Sequence, residues 1–478
     1  MSNLTSTIKS IQDIMRKDAG VDGDAQRISQ LGWMLFLKIF DEKENDWEIL
    51  NEEYKSPIPK DLRWRTWAAD EEGMTGDELL DFVNNSLFPR LKDLKLRHNK
   101  DAARMVRDVF EDSYNYMKSG TLLRQVINKI NNNIHLATQA ERHAFNDIYE
   151  QILRDLQSAG NAGEFYTPRP VTQFIVEMVN PRLGEKVLDP ACGTAGFLTN
   201  VIDHIQKSEG IKTLNDRAKL QNCIRGVEKK PLPHMLATTN MILHGIEVPS
   251  IDHDNLLGRS YLEFTTDRVD VIVTNPPFGG MEEDGVEKNF PVQFRTRETA
   301  NLFMALIIQM LKDRGRCGVV LPDGFLFGEG VATRIKEMLL ERCNLHTIVR
   351  LPNGVFAPYT GIKANLLFFE KGTPTKEVWY FEHPYPEGVK SYNKTRPINI
   401  KEFDLERRWW NVREESLYAW KVSVEELKER NYNLDVSNPR KGVTNNDISI
   451  QELFTRIEQR QVRMNAIITS LKKELFSL

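Results

Sequence analysis

The sequence predicts an α/β protein, in which a mostly parallel sheet carries helices on both faces between an all-helical N-terminal region and a helical tail. Three observations carry this expectation. From about residue 160 to 375, short apolar runs alternate with helical patterns, as strand–helix–strand units of a parallel sheet require. Residues 1 to about 155 show helical periodicity without strand-like alternation. Near the C-terminus Ile450, Ile457, Met464, Leu471 and Leu478 recur at a seven-residue spacing, joined by Leu453 and Ile467, although Arg460 and Glu474 interrupt the seam. Single cores seldom grow past roughly 250–300 residues, so the 478 residues divide into domains predicted at 1–155, 156–425 and 426–478.

In the first region "ISQLGWMLFLKIFDEKE" (28–44) is apolar on more than one face, which predicts a helix buried among others. "SPIPKDLRW" (56–64) reads as a loop, and "DELLDFVNNSLFPRLKDL" and "HLATQAERHAFNDIYEQILRDL" as amphipathic helices. In the second region "EKVLDPAC", "NCIRGVE", "VDVIVTN", "GRCGVVLP", "LHTIVRLP" and "KANLLFFEK" read as strands, and 298–313 as a helix closed by Gly315. Beyond about 375 the chain turns charged and aromatic, with tryptophans at 379, 409, 410 and 420. The tail is either a helix packed on its own domain or one that pairs with another protein.

Composition narrows the class. The chain is 40% hydrophobic and 28% charged, ordinary for a soluble globular protein. Its net charge of −4 argues against a broadly basic, nucleic-acid-coating surface, so such contact needs a local patch or a more basic partner. The four cysteines are far apart and form no CxxC pair, which points to a reduced cytoplasmic compartment and no structural zinc. The polar N-terminus lacks a signal core, and the longest apolar run, 301–311, is too short to span a bilayer.

Three strand ends carry the chemistry. In "VLDPACGTAGFLT" (187–199) a strand ends at Asp189, turns through Pro190 and reaches Gly193, Thr194, Ala195 and Gly196 before a helix starts. Glycines there let the backbone approach a ligand, and helix N-terminal amides favour an anionic group, although two glycines also serve plain packing. The missing G-x-G-x-x-G argues against a dinucleotide. Glu228 ends the next strand, where an acid commonly holds a ribose diol. Asp254 and Asn255 in "DHDNLL" either sit near the cofactor's base or simply form a turn.

The third strand runs into Asn275, Pro276, Pro277 and Phe278, then Gly279 and Gly280. Two prolines fix the backbone and remove two amide donors, leaving carbonyls available. The Asn275 side-chain oxygen and a carbonyl such as that of Pro276 would accept both hydrogens of one amino group. Such acceptors favour a tetrahedral nitrogen and stabilise developing positive charge on a poorly nucleophilic ring amine. Phe278 offers a face for a flat base, a contact worth about 1–3 kcal/mol. A proline-rich turn that merely closes a strand is the bland alternative.

"DPACGTAGF" followed by "NPPF" resembles the S-adenosylmethionine-dependent amino-methyltransferases, specifically the DNA adenine-N6 methyltransferases. With "GEFYTPRPV" (163–171), "LPDGFLF", "LPNGVFAPYTGIKANLLFF" and the heptad tail, nearly the whole chain resembles the modification subunit of type I restriction-modification systems. The resemblance implies a Rossmann-like methyltransferase sheet that binds S-adenosylmethionine and methylates adenine N6 in double-stranded DNA after extruding the base. It also implies a separate specificity subunit, a second copy of the modification subunit and, in some systems, a restriction subunit. Glu164, Phe165, Tyr166, Thr167, Pro168 and Arg169 would line the methionine end of the cofactor pocket. The Gly193–Gly196 loop would meet the methionine, Glu228 the ribose, and Asn275 to Phe278 the adenine. Thr167 before Pro168 also reads independently as a helix N-cap. Ala195 departs from the family's usual glycine, which would matter if that position needs positive φ.

Arg295 and Arg297, in the charged stretch after the glycines, are candidate phosphate contacts or simply solvated. No base-reading helix or zinc module stands out. Three rivals remain: a protein or RNA amino-methyltransferase, a self-sufficient DNA methyltransferase, and a scaffold that has lost catalysis.

Overall fold

The computed structural model describes residues 2–96, 99–135, 141, 145, 149, 167–357, 360–393, 395–440 and 461. The heptad positions from Ile450 onward and Glu164, Phe165 and Tyr166 lie outside them.

The N-terminal region is helical, as its periodicity predicts. The helix Asp24–Leu50 buries Ile28, Leu31, the run Trp33–Leu37, Ile39 and Phe40, so several of its faces are covered. The second expected helix exists but is not uniform. Gly76–Asp81 is α-helical, Phe82–Leu87 is a π-helical stretch, and Phe88–Lys92 returns to α. Asp18 binds the region together by accepting from the amides of Lys118 and Ser119, each at 2.9 Å, at the start of the helix Gly120–Asn133. Of the third expected helix, 141, 145 and 149 are described and helical, with Phe145 and Tyr149 buried.

The sheet has nine strands: β1 (Val187–Asp189), β2 (Ile224–Glu228), β3 (Ser250–His253), β4 (Val269–Thr274), β5 (Leu311–Pro322), β6 (Cys343–Arg350), β7 (Ala364–Lys371), β8 (Glu377–Glu382) and β9 (Ala419–Ser423). Their order is β3-β2-β1-β4-β5-β7-β6-β8-β9. All six strands expected from the sequence form. Three more do not announce themselves: β3, "SIDH", has one aliphatic residue, and β8 and β9 lie in the aromatic stretch beyond 375. The sheet is parallel from β3 through β5 and between β6 and β8, but β7 inserts antiparallel between β5 and β6, and β9 pairs antiparallel with β8.

The alternation of strands dictates the two cores. On β5, Cys317, Val319 and Leu321 pack with the helices Thr299–Met310 and Val331–Arg342, while Val320 faces the helices Arg169–Val179 and Gly196–Ser208. The helix expected over 298–313 stops at Met310. Lys371 Nζ donates to the carbonyls of Ile308 and Leu311 at 2.8 Å and so closes it; Gly315 already lies on the way into β5.

The helix Pro231–Leu243 joins the two regions. Its Met235, Leu236, Ile242 and Leu243 belong to the helical region's core, and Tyr149 Oη donates to Leu236 O at 3.1 Å. At the other end, Leu427, Leu434 and Val436 are buried with the sheet's core, so the chain stays with the sheet beyond residue 426. The chain runs β1 to β2 to β3 toward one edge and returns to β4 on the other side of β1. The sheet's switch point therefore lies between β1 and β4, where ligands bind in open α/β sheets.

Candidate active site

Asp189 closes β1 at the switch point and is 1% exposed. Burial pushes its carboxyl up to about 7, against the Thr274 hydroxyl and the Ala191 amide; the Glu228 charge adds to the rise. The Ala191 amide donates to Asp189 Oδ1 at 3.2 Å, which starts the turn, and Cys192 N donates to Val227 O at 2.9 Å, which holds the loop against β2. Gly193 then takes φ +54° and Ala195 φ +64°, immediately before the helix Gly196–Ser208. The sequence departure at Ala195 thus falls on a left-handed position, which for a residue with a Cβ costs about 1–2 kcal/mol. Its methyl is fully buried in the core below the loop, which offsets part of that strain. Asn240 Nδ2, which sequence reasoning missed, donates to Thr194 O at 2.9 Å and supports the loop from the helix Pro231–Leu243.

Glu228 stands at the carboxyl end of β2, next to this loop. Its Oε2 accepts from Gly193 N at 2.9 Å and its Oε1 from Lys230 N at 2.8 Å, so the carboxylate is oriented before any ligand arrives. Asp254 and Asn255 follow β3, with Asp254 N donating to Glu228 O at 3.1 Å. Their side chains serve the turn: Asp254 pairs with Arg259, and Asn255 Oδ1 accepts from Leu257 N at 3.1 Å.

Asn275 follows β4 across the switch point. Its Nδ2 donates to Thr167 Oγ1 at 2.8 Å, while its Oδ1 is buried without a hydrogen-bond partner. Thr167 precedes Pro168, which occupies the N-cap position of the helix Arg169–Val179; the hydroxyl expected to cap that helix is turned to Asn275 instead. Arg169 reaches the other way, its Nη1 donating to Gly196 O at 2.6 Å and Thr199 Oγ1 at 2.8 Å. Thr167, Arg169, Gly193–Gly196, Glu228 and Asn275 therefore gather at one edge of the sheet.

Pro277 is exposed and Pro276 buried. Phe278 is 5% exposed and lies in the core beside the loop, its ring 5.8 Å from that of the buried Phe356. Phe356 lies in the quoted "LPNGVFAPY" segment, but nothing local marks it out. Gly279 takes φ +62°, and a Cβ on Gly280 would meet Thr299 Oγ1 at 2.9 Å. The charged stretch after them is anchored rather than loose: Phe290 and Phe294 are buried beside Tyr261, and Glu282 N donates to Arg297 O at 2.8 Å. Arg297 pairs with Asp284 at 2.6 Å and Arg295 Nε donates to Phe290 O at 3.2 Å.

A model of the N-6 DNA methylase family matches residues 140–447. The chain belongs to the N-6 DNA methylase family. A model of the HsdM N-terminal domain matches residues 4–130 of this N-6 DNA methylase. The type I restriction enzyme EcoEI methylase subunit of Escherichia coli is 58% identical over 98% of this chain and 97% of its own. The EcoKI methylase subunit of Escherichia coli K12 is 29% identical over 83% of this chain and 74% of its own. Among solved structures, a modification subunit assigned to a type I restriction enzyme from Vibrio vulnificus YJ016 superposes with a TM-score of 0.83, at 44% identity, covering 92% of this chain and 97% of that one. A chain from a structure of the assembly and conformational transition of a type I restriction-modification system gives a TM-score of 0.81, at 37% identity, covering 99% and 98%. This N-6 DNA methylase is a methylase subunit of the type I kind. No helix among its described residues is long and apolar enough to cross a membrane.

Proposed function

We propose that this chain is the catalytic subunit of a cytoplasmic type I restriction-modification complex, transferring a methyl group from S-adenosylmethionine to adenine N6 in DNA. One observation carries the reading: Asn275 Oδ1 is a buried acceptor without a partner, at the sheet's switch point, on an amide already held through its nitrogen. Other buried acceptors in the molecule are also unpaired, but this one stands at the strand's carboxyl end beside the glycine loop, where a ligand donor can satisfy it. An adenine amino group is such a donor.

The residues fit the cofactor as well. Gly193 has φ +54° with nothing within 4 Å of where a Cβ would be, so a ligand can approach the loop closely. Glu228, oriented by two amides, suits the ribose hydroxyls. The Gly193–Gly196 loop and the start of its helix suit the methionine end. When bound, S-adenosylmethionine supplies an already activated methyl group. The chain's own work is then to position the amine and polarise it. Asn275 Oδ1 and the carbonyl of Pro276 accept the two N6 hydrogens, which draws the nitrogen lone pair out of the ring. Phe278, backed by Phe356, supports the extruded base.

Residues 1–155 serve as the helical domain and 156–425 as the catalytic domain, whose core also takes in Leu427, Leu434 and Val436 from the stretch beyond it; the remainder of 426–478 is the tail that docks on a specificity subunit. That subunit selects the target, and two copies of this chain close on the duplex. The structural relative from an assembling type I restriction-modification system supports a role for this chain within such a complex.

The test is mass spectrometry of nucleosides from DNA incubated with S-adenosylmethionine, this chain and the protein encoded beside it. N6-methyladenine should form only when both proteins are present. Asn275→Ala should lower the rate by about 10²–10³ while still binding cofactor. Methylation that survives this substitution refutes the mechanism.

A further inference from the structure

We propose that Thr167 is a positioning residue for Asn275, which makes the Thr167–Arg169 corner a brace between the catalytic strand end and the glycine loop. The inference rests on the adenine-amine reading of Asn275 given above.

A carboxamide has two ends of nearly the same size and opposite chemistry. Rotated by half a turn, Asn275 would point Nδ2 at the substrate amine, donor against donor, and the site would repel the group it must hold. Thr167 Oγ1 accepts from Nδ2 at 2.8 Å, which fixes where the amide stands and leaves Oδ1 for a ligand; a hydroxyl can also donate, so the choice of end is completed by the substrate amine, a donor that pairs only with Oδ1.

The hydroxyl is delivered from a rigid support. Prolines flank Arg169 at 168 and 170, which fixes the backbone leading into the helix Arg169–Val179. That helix is locked by Phe174, whose ring stacks on Phe403 at 4.4 Å, and by the buried Ile175 and Val176. Arg169 Nη1 ties the corner to Gly196 O and Thr199 Oγ1 at 2.6 and 2.8 Å. One corner thus spans both halves of the site, with Arg169 on the loop side and Thr167 on the amine side.

The experiment uses the full chain with the protein encoded beside it, S-adenosylmethionine and target DNA. Thr167→Val keeps the shape and removes the acceptor. The kcat should fall about tenfold, the loss of one hydrogen bond that matters to reactivity. Thermal melting should stay near wild type, and because Thr167 also lies in the stretch expected to line the cofactor pocket, kcat is read at saturating S-adenosylmethionine, with cofactor Kd measured separately by calorimetry. Thr167→Ser restores the acceptor and should recover most of the rate. In an Asn275→Ala background, Thr167→Val should have no further effect, because the residue it acts through is gone.

Thr167→Val that weakens cofactor binding with kcat unchanged would overturn the proposal and make Thr167 a cofactor contact. Rate losses that multiply with those of Asn275→Ala would overturn it too. A wild-type complex that makes no N6-methyladenine would instead fail the underlying reading, which the Thr167 comparison alone cannot do.

Discussion

Gly318 sits on β5 beneath the helix that carries the Thr167–Arg169 corner, and Gly318→Ala tests how closely that helix must lie. An ideal Cβ on Gly318 would stand 2.5 Å from Ile175 Cγ2 and 2.8 Å from Val179 Cγ2. Carbon atoms prefer about 3.5–4.0 Å, so the surfaces must separate by roughly 1 Å. Rotamer changes offer little relief, because isoleucine and valine in a helix hold one χ1 well. The helix must therefore retreat, at a cost of about 1–3 kcal/mol for overpacking. Thermal melting should drop by several degrees, since about 1 kcal/mol moves a domain of this size by roughly 2–4 °C. The same retreat strains the 2.8 Å contact between Thr167 and Asn275. A lengthening of roughly 1 Å takes it outside hydrogen-bonding range, so methyl transfer should slow about tenfold. Melting curves and single-turnover methylation of the complex check both effects. Gly258→Ala is the control, because nothing lies within 4 Å of its would-be Cβ. A Gly318→Ala protein that melts and methylates like wild type would refute the close-packed brace.

Three further outcomes follow from the same structure. Asp189 has its carboxyl raised from 3.8 to about 7, chiefly by burial, so between those values the unfolded chain binds fewer protons than the folded one. Its contribution to stability is full below about 4 and is lost as pH rises through 7; Asp189→Asn should flatten stability against pH in that window in urea melts, leaving the similar slope from Glu44, which burial also raises to about 7. Glu228→Gln should weaken cofactor binding about tenfold by calorimetry, because a charged acceptor is roughly twice as strong as a neutral one; unchanged affinity would remove Glu228 from the cofactor site. At Gly32 a Cβ would meet Met235 Sδ at 3.1 Å; alanine should be accepted by movement of that flexible side chain, whereas Gly32→Leu should lower the melting temperature and open the junction with the helix Pro231–Leu243 to limited proteolysis.

By itself the sequence determined the fold class, the six strands whose apolar runs need burial on both faces, and the residues that end β1, β2 and β4. Those features are local: a run of Val, Ile and Leu must be covered whichever element covers it, and Asp189, Glu228 and Asn275 follow directly from where each run stops. The ordering of strands was not local. Nothing within "KANLLFFEK" states that β7 runs antiparallel between β5 and β6, and β3, β8 and β9 are strands because neighbours offer them backbone partners. The same holds in the site. Thr167 reads as a cap until folding brings Asn275, 108 residues later, within 2.8 Å and redirects its hydroxyl. Phe278 reads as a lone stacking ring until the segment after β6 sets Phe356 against it. Periodicity and turn chemistry act over a few residues, so they fix elements and their ends; which side chains meet depends on sheet order and helix packing, and only the tertiary structure decides that.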